Sequence, residues 1–409
     1  PERPPARPVQ ASPISNRPAA MSRSATLIAL LTGTLLALGL GAYWLTSASG
    51  SADLQTSLSV SEAMGSDTTG YRRATAVRPF SFPADHGPHP GYKTEWWYVT
   101  GTLTGPEAQP YGYELTLFRI GLTPPDAAPD STPSDWRTNQ LYMGHFAVTD
   151  GASKTFHDFE RFQRAGAGLA GARADPFRVW LEDWSMASTG ASTFPVRLRA
   201  RANGVGVNLV LDPRKPRVLQ GDRGLSQKGP GAGNASYYYS YTRLATEGTL
   251  TLGADTLSVS GESWMDREWS TSALGPDQEG WDWFSLQLDD GRDLMYYQLR
   301  RTDGSPSSFS EGVLVGPDGG TTALSGSEVS LEVLDTWTSP DGTHTYPVEW
   351  TLRVPSQGLD LRITPLFPDQ ELDVSVRYWE GAVQVEGSAR GRGYVEMTGY
   401  GESPGSPVS

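Results

Sequence analysis

The sequence of 409 residues contains no cysteine and only four lysines. Without cysteine the chain cannot form disulfides, thiolate metal sites or a thiol nucleophile, and it cannot carry a lipid on an N-terminal cysteine. The formal net charge is -13 at pH 7, whereas recognition of nucleic-acid phosphates needs clustered basic side chains. We therefore expect no nucleic-acid partner.

Long apolar runs with helical spacing are also scarce. The chain has 46 glycines, 31 prolines and 10% aromatic residues, and short segments such as YELTLFRIG and YPVEWTLRV alternate apolar with polar residues. Asp-Gly pairs, for example Asp290-Gly291 and Asp341-Gly342, mark hairpin turns between such segments. The pattern predicts a mainly β protein with closed or sandwiched antiparallel sheets, and the length suits two domains.

One apolar segment is long enough to span a bilayer, and it lies near the N-terminus. Residues 25–45, ATLIALLTGTLLALGLGAYWL, carry no charge, follow Arg23 and precede small residues suited to signal peptidase. We interpret residues 1–75 as an extension, a signal peptide or membrane anchor at 25–45, and a linker; a buried soluble helix at 25–45 is the alternative. The rest of the chain is then exported to the periplasm or beyond, and a retained segment would anchor it to the inner membrane.

Five segments between Val77 and Tyr400 make the sequence resemble the AttH family of predicted secreted hydrolases, which is related to the carotenoid 1,2-hydratases. They are, in order, YKTEWWYVTGTL, MGHFAVTD, YYYSYTRL, GESWMDREWS and GWDWFSLQLDDGRDLMYYQLR. The resemblance implies two lipocalin-like, calycin-type antiparallel β-barrel domains, which we place at 76–272 and 273–409. It also implies a connection with lipids or isoprenoids, and we expect neither a cofactor nor a metal ion.

The carotenoid hydratases also provide a pattern of site residues. The resemblance implies that a His and a Trp two positions apart, followed downstream by a Tyr and an Asp two positions apart, protonate an alkene and stabilise the cation. The matching positions in this sequence are Arg267 and Trp269, then Tyr296 and Gln298. An amide cannot protonate an alkene and arginine is a poor acid, so the cation-stabilising aromatics are present but the proton donor is replaced.

Strand alternation leaves two possibilities for the segment SWMDREWS. One face carries Met265, Arg267 and Trp269, and the other carries Trp264, Asp266 and Glu268. If the first face lines a cavity, Arg267 is a buried cation suited to a carboxylate or phosphate head group. If the second does, two neighbouring carboxylates repel each other, one pKa rises, and Asp266 becomes a candidate acid. A structural ion-pair network is a third interpretation of the three charged residues.

Further aromatic and polar residues are candidates for lining a ligand pocket. They are Trp97, His145, Tyr239, Trp281 and Trp283. For each of them, packing in a core or across strands is the alternative interpretation.

The loop DHGPHPGY brings together side chains of metal-ligating type, Asp85, His86 and His89. Nothing in the sequence fixes the remaining ligands that a metal ion would need. We therefore predict no metal site there.

Three functions agree with these observations. The first is binding of an apolar small molecule, a lipid or isoprenoid, by an exported lipocalin-like protein. The second is catalysis by a lyase, hydratase or cyclase that acts on an isoprenoid-like alkene through a carbocation. The third is a role as accessory subunit of a membrane transporter, which would make the membrane or the transporter a partner.

Overall fold

The computed structural model describes residues 68–127, 138–271 and 274–401. These residues form two antiparallel sheets, so the mainly β prediction is confirmed. The helices among them are short 3-10 segments at Ala84–His86, Pro106–Ala108, Pro125–Ala127, Gly326–Glu328 and Pro355–Gln357. None of these helices has the length and apolar character needed to cross a bilayer. The predicted signal or anchor segment, 25–45, lies outside the described residues.

The first sheet curls into a nearly closed barrel of 13 strands. Its strands are β1 (Thr94–Thr104), β2 (Pro110–Gly121), β3 (Gln140–Asp150), β4 (Thr155–Arg164), β5 (Ala170–Ala174), β6 (Phe177–Leu181), β7 (Trp184–Ser188), β8 (Val196–Ala202), β9 (Val205–Pro213), β10 (Val218–Leu219), β11 (Leu225–Gln227), β12 (Ala235–Leu252) and β13 (Asp255–Ser270). Their order is β4-β3-β2-β1-β13-β12-β9-β8-β7-β6-β5, and β10 and β11 both pair with β12. The long strands β1, β2, β12 and β13 therefore lie side by side.

The second sheet forms a half-barrel of 10 strands. Its strands are β14 (Gln278–Leu288), β15 (Asp293–Arg301), β16 (Glu311–Val315), β17 (Thr321–Ser325), β18 (Ser330–Thr338), β19 (Thr345–Val354), β20 (Leu359–Pro365), β21 (Glu371–Leu372), β22 (Tyr378–Gly387) and β23 (Gly391–Thr398). Their order is β17-β16-β15-β14-β23-β22-β20-β19-β18, with β21 beside β22. The two sheets agree with the predicted pair of lipocalin-like domains. The predicted boundary at 272/273 lies outside the described residues and stays a prediction.

Side-chain alternation gives each sheet its own core. On β1, β13 and the first half of β12, odd-numbered residues such as Trp97, Trp269 and Tyr239 point into the barrel and are fully buried there. In the second sheet, Phe284 and Trp350 belong to a separate core inside the half-barrel. Side chains therefore fill the barrel around Trp97, Tyr239 and Trp269.

The outer faces of the two sheets pack against each other. Trp264 from β13 and Trp283 from β14 belong to one buried cluster between them. At the contact of β2 with β22 the backbones come so close that a Cβ on Gly112 would lie 2.6 Å from the Cβ of Ala382. The central strands of the first sheet are consequently buried on both faces, as the almost uninterrupted burial of β1 shows.

Candidate functional site

A cavity of about 140 Å³ lies between the outer faces of the two sheets. On the first sheet its wall consists of Met143 from β3 and of even-numbered side chains from β1, β2, β13 and the first half of β12, where odd-numbered side chains point into the barrel. On the second sheet the wall comes from β14, β15, β22 and β23. The cavity therefore exists only where the two sheets meet.

Most of the cavity wall is aromatic. The aromatic residues that line it are Trp96, Tyr98, Phe118, Tyr238, Trp281, Trp283, Tyr297 and Tyr378. Trp283 packs edge-on against Tyr98, with ring centroids 5.3 Å apart, and against Trp264 at 6.1 Å. Such a wall suits an apolar ligand, and its π faces can attract positive charge that develops inside.

Asp266 is an acid in the wall formed by the first sheet. β13 runs between β12 and β1, and its register places Asp266 directly between Ser240 and Tyr98. The carboxyl accepts hydrogen bonds from Tyr238 Oη at 2.5 Å, Ser240 Oγ at 2.5 Å and Trp264 Nε1 at 2.7 Å. Burial raises the pKa of Asp266 to about 7, although the three hydrogen bonds lower it. Asp266 can therefore exchange a proton near neutral pH.

Two further acids, Glu380 on β22 and Glu396 on β23, lie in the opposite wall. Glu396 accepts a hydrogen bond from Trp281 Nε1 at 2.8 Å, and Glu380 accepts one from Tyr98 Oη at 3.3 Å. Burial raises the pKa of Glu396 to about 7. It also raises the pKa of Glu380 well above its usual value, with additional repulsion from neighbouring carboxylates. The cavity thus has ionisable acids on both walls.

A charged pair, Glu268 and Lys228, borders the cavity as well. Lys228 Nζ lies 3.8 Å from a carboxylate oxygen of Glu268 and 3.9 Å from the ring centroid of Tyr297. Burial raises the pKa of Glu268, while the charge of Lys228 lowers it. The pair adds a further polar patch to the mostly aromatic wall.

Four predicted site residues lie in or beside the cavity. Asp266, Trp281 and Trp283 line it. His145 does not, but its ring contacts Phe118 and Tyr378, which do, and its Nε2 lies 3.0 Å from Glu160 Oε1. Of the predicted site residues, these four therefore lie together at the cavity between the sheets.

Arg267 points away from the cavity, into the barrel. Its guanidinium forms an ion pair with the fully buried carboxylate of Glu95, which also pairs with Arg119. It lies 4.0 Å from the ring centroid of Trp97 and 5.1 Å from that of Trp269. This geometry does not favour the proposed head-group role, because Arg267 already has a buried anionic partner. On SWMDREWS it is the face with Trp264, Asp266 and Glu268 that lines the cavity.

The remaining predicted residues do not line the cavity either. Trp97, Trp269 and Tyr239 belong to the barrel core, while Tyr296 belongs to the half-barrel core. Gln298, two positions further along β15, pairs with Asp282 in the register of β14 and does not line the cavity. The structure thus places the hydratase-like positions on two different sheets and brings none of them into the cavity.

In the loop DHGPHPGY, the side chains of metal-ligating type bond to other residues of the protein. Asp85 forms an ion pair with Arg78 and accepts a hydrogen bond from His89 Nε2. His86 Nδ1 lies 2.7 Å from Tyr239 Oη. The ring of His89 stacks on Trp269 at 3.8 Å. Within residues 68–127, 138–271 and 274–401 no group of three or more His, Asp or Glu side chains is arranged to hold a metal ion.

Comparison with known proteins identifies the family. The model of the AttH-like family matches residues 73–400. The chain belongs to the AttH-like family. A Nitrosomonas europaea protein provisionally assigned to AttH is 36% identical to this AttH-like chain, with a TM-score of 0.71 over 80% of this chain and 99% of that one. No curated protein matches the sequence.

A more distant similarity concerns the fold alone. Kievitone hydratase from Nectria haematococca shares 16% identity with the AttH-like chain, and its structure aligns with a TM-score of 0.60 over 81% of this chain and 98% of that one. At this identity the similarity confirms the lipocalin-like architecture and assigns no residue a role.

Sequence reasoning missed several residues of the AttH-like cavity, chiefly Lys228, Glu380 and Glu396. A signal for the two glutamates is present in the sequence. Each is an isolated acid in an otherwise apolar strand segment, YWEGAV and GYVEMTGY. A charged residue in such a segment either faces solvent or is buried in a paired or functional position. Only the packing of the second sheet distinguishes these cases.

Proposed function

We propose that this AttH-like chain binds an apolar, alkene-containing small molecule, a lipid or isoprenoid, between its two sheets and protonates it. The reaction would be that of a lyase, hydratase or cyclase which proceeds through a carbocation. The observation that carries this proposal is Asp266, an acid with a pKa of about 7 in an aromatic cavity wall. A general acid works best when its pKa is near the working pH.

The surroundings of Asp266 support proton transfer to carbon. In its protonated form Asp266 would give its proton to one alkene carbon, and the adjacent carbon would become cationic. Tyr98, Trp281 and Trp283 present aromatic rings to the same cavity and can stabilise that charge. The hydrogen bonds from Tyr238, Ser240 and Trp264 would stabilise the carboxylate that remains.

Carriage of an apolar ligand without chemistry is a second candidate, and the aromatic wall is the observation that favours it. The acids count against it. Burial of a carboxyl group costs free energy, and four of them line this cavity. A carrier of apolar molecules gains nothing from these groups, whereas an enzyme that moves protons needs them.

Export of the chain, and a membrane or transporter partner, are proposals as well. They rest on the apolar character of residues 25–45. No contact among the described residues bears on them. Fractionation of producing cells tests them, since an exported protein is found outside the cytoplasmic fraction.

The first experiment is to extract the purified protein with organic solvent and to identify bound molecules by mass spectrometry. The recovered alkene, or farnesol as a defined probe, is then incubated with the protein in D₂O. Asp266→Asn should lower deuterium incorporation into the alkene by roughly 10²–10⁴-fold and leave ligand binding intact. Asp255→Asn, at the exposed start of the same strand, is the matched control and should behave as wild type. Equal incorporation by Asp266→Asn would remove Asp266 as the acid.

A further inference from the structure

The cavity has acids on two opposite walls, and the proposed proton donor accounts for only one wall. Asp266 belongs to the first sheet, whereas Glu380 and Glu396 belong to the second. A molecule in the cavity lies between the two walls and can contact both. Glu380 is only 3% exposed. Strand alternation directs the carboxyl groups of both Glu380 and Glu396 to the interface between the sheets.

Two tryptophans of β14 take part in the hydrogen bonds around these acids, one directly and one through a tyrosine. Trp281 Nε1 donates to Glu396 at 2.8 Å. Trp283 Nε1 donates to Tyr238 Oη at 3.3 Å, and Tyr238 in turn donates to Asp266. The two tryptophans are two residues apart on one strand and share a face. β14 therefore contacts Glu396 directly and reaches Asp266 only through Tyr238, while Ser240 and Trp264 of the first sheet also hold Asp266.

Four carboxyl groups and a phenol act on Glu396. Asp266 and Glu268 repel its negative form and so raise its pKa, while hydrogen bonds from Trp281 and Tyr98 lower it. Glu114 and Glu380 interact with Glu396 by charge repulsion too. Glu114 lies behind the wall, is fully buried, and has one carboxyl oxygen without a hydrogen-bond partner among the described residues. Because neighbouring carboxylates repel one another, not all carboxyl groups of such a cluster ionise at once. A protonated acid and an ionised one therefore coexist.

We propose that Glu396 is the base that removes a proton from the cation formed by Asp266, so that the product is an isomer of the substrate. The reaction class is then double-bond migration or cyclisation of an alkene, with no net addition of water. This inference rests on the proposed function, because it needs the cation that Asp266 creates.

The step balances without a further reactant. The O–H bond of Asp266 breaks, the alkene π electrons form a new C–H bond, and the adjacent carbon becomes cationic. The carboxylate of Glu396 then takes a proton from a neighbouring carbon, and that C–H electron pair forms the new double bond. For cyclisation, a second alkene of the same molecule attacks the cation before the proton leaves. Asp266 ends ionised and Glu396 protonated, and exchange with water restores both.

The assignment has a physical basis in the positions of the acids. An acid and a base on opposite walls act on opposite faces of a flat alkene, which keeps the added proton apart from the removed one. Repulsion between neighbouring carboxyl groups allows one of them to stay protonated while another is ionised, which provides an acid and a base in the same cavity. Glu380 accepts a hydrogen bond from Tyr98 and has no step of its own in this scheme.

The test uses farnesol and its cationic analogue N,N-dimethylfarnesylamine with the full chain in D₂O. Wild type should convert farnesol into an isomer that contains one deuterium, and Glu396→Gln should lower isomer formation at least about 100-fold or divert the product to a hydrate. Quenching of tryptophan fluorescence gives the affinities of both probes, because Trp281 and Trp283 line the site. Wild type should prefer the ammonium probe at pH 8, and Glu396→Gln should lose about tenfold of that preference. Glu386→Gln, an exposed position on β22, is the matched control.

The outcomes separate the two proposals. If the wild-type product has gained one water and Asp266→Asn is inactive, the base role of Glu396 is overturned while the proposed function stands. If farnesol is inert, loss of the ammonium preference in Glu396→Gln supports the role of Glu396, and an unchanged preference overturns it. No conversion, no deuterium and no ammonium preference in wild type would overturn both.

Discussion

Glu95 is buried inside the first barrel between the guanidinium groups of Arg119 and Arg267. It accepts a further hydrogen bond from the backbone N–H of His89, and its Oε2 lies 3.3 Å from Nδ1 of the His89 ring. Although burial alone would raise the pKa of Glu95, the two arginines hold it well below its usual range. The ionised carboxylate is therefore part of the folded structure.

Removal of this charge should destabilise the protein strongly. Glu95→Gln leaves two buried guanidinium groups without their anion, and we expect the free energy of unfolding to fall by about 3–5 kcal/mol. Urea unfolding monitored by circular dichroism measures the change. Glu332→Gln, which breaks an exposed pair with Arg353, is the control and should cost less than about 1 kcal/mol. Similar losses for both variants would contradict the structural role of Glu95.

β13 shows, at the scale of the strand, what the sequence could and could not reveal. Its segment SWMDREWS is buried on both faces, so the usual contrast between an apolar and a solvated side is missing. Alternation correctly separated Asp266 from Arg267, but the sequence contains nothing that identifies which face meets the barrel core. That choice depends on the second sheet, which covers the outer face.

The overall fold was easier to predict than the site. Hairpin turns and period-two alternation are local signals, and they indicated a mainly β chain; the family resemblance indicated paired lipocalin-like domains. The cavity instead combines residues from distant strands, for example Asp266 of β13 with Glu396 of β23. Local patterns do not report such pairs, which explains why Trp281, Trp283 and Asp266 were found and Glu396 was not.

The contact between β2 and β22 leads to a prediction about strand packing. A Cβ on Gly112 would approach the Cβ of Ala382 to 2.6 Å and the side chain of Thr149 to 3.2 Å. Gly112→Ala should therefore force the two sheets apart and lower the free energy of unfolding by about 1–3 kcal/mol. The same variant should weaken ligand binding, because β22 also carries Glu380. Urea unfolding and fluorescence titration with farnesol measure the two effects.

Gly190 provides the matched comparison for this substitution. It lies between β7 and β8, and a Cβ there would meet nothing within 4 Å. Gly190→Ala should change the free energy of unfolding by less than about 0.5 kcal/mol. If Gly112→Ala is equally mild, the sheets are not held at the distance that the structure shows.

For the whole molecule, the buried acids determine how stability varies with pH. The pKa of both Asp266 and Glu396 is raised to about 7, so the folded chain retains protons that the unfolded chain releases. The free energy of unfolding should therefore fall as the pH rises from about 4 to about 7. Asp85, whose pKa is lowered to about 2, acts in the other direction, and its contribution is lost as the pH falls below about 4.

We accordingly expect maximal stability in mild acid rather than at neutral pH. Thermal unfolding followed between pH 3 and pH 8 tests this, and about pH 4–5 is the expected optimum. The double variant Asp266→Asn/Glu396→Gln should show a weaker decline toward neutral pH, because amides have no proton to release. A wild-type optimum above neutrality, or a double variant with the wild-type slope, would show that these acids are ionised in the folded state.

The division of the cavity between two sheets also bears on how such a protein can evolve. Each sheet forms only one wall of the cavity. A mutation that changes the size of a side chain in one wall is therefore useful only if the facing strands accommodate it. Relatives that handle larger or smaller molecules should then differ by paired changes, one on β1 or β13 and one on β22 or β23. A change in ligand preference would thus require correlated substitutions in the two halves of the chain, whereas the residues of the barrel core need not change.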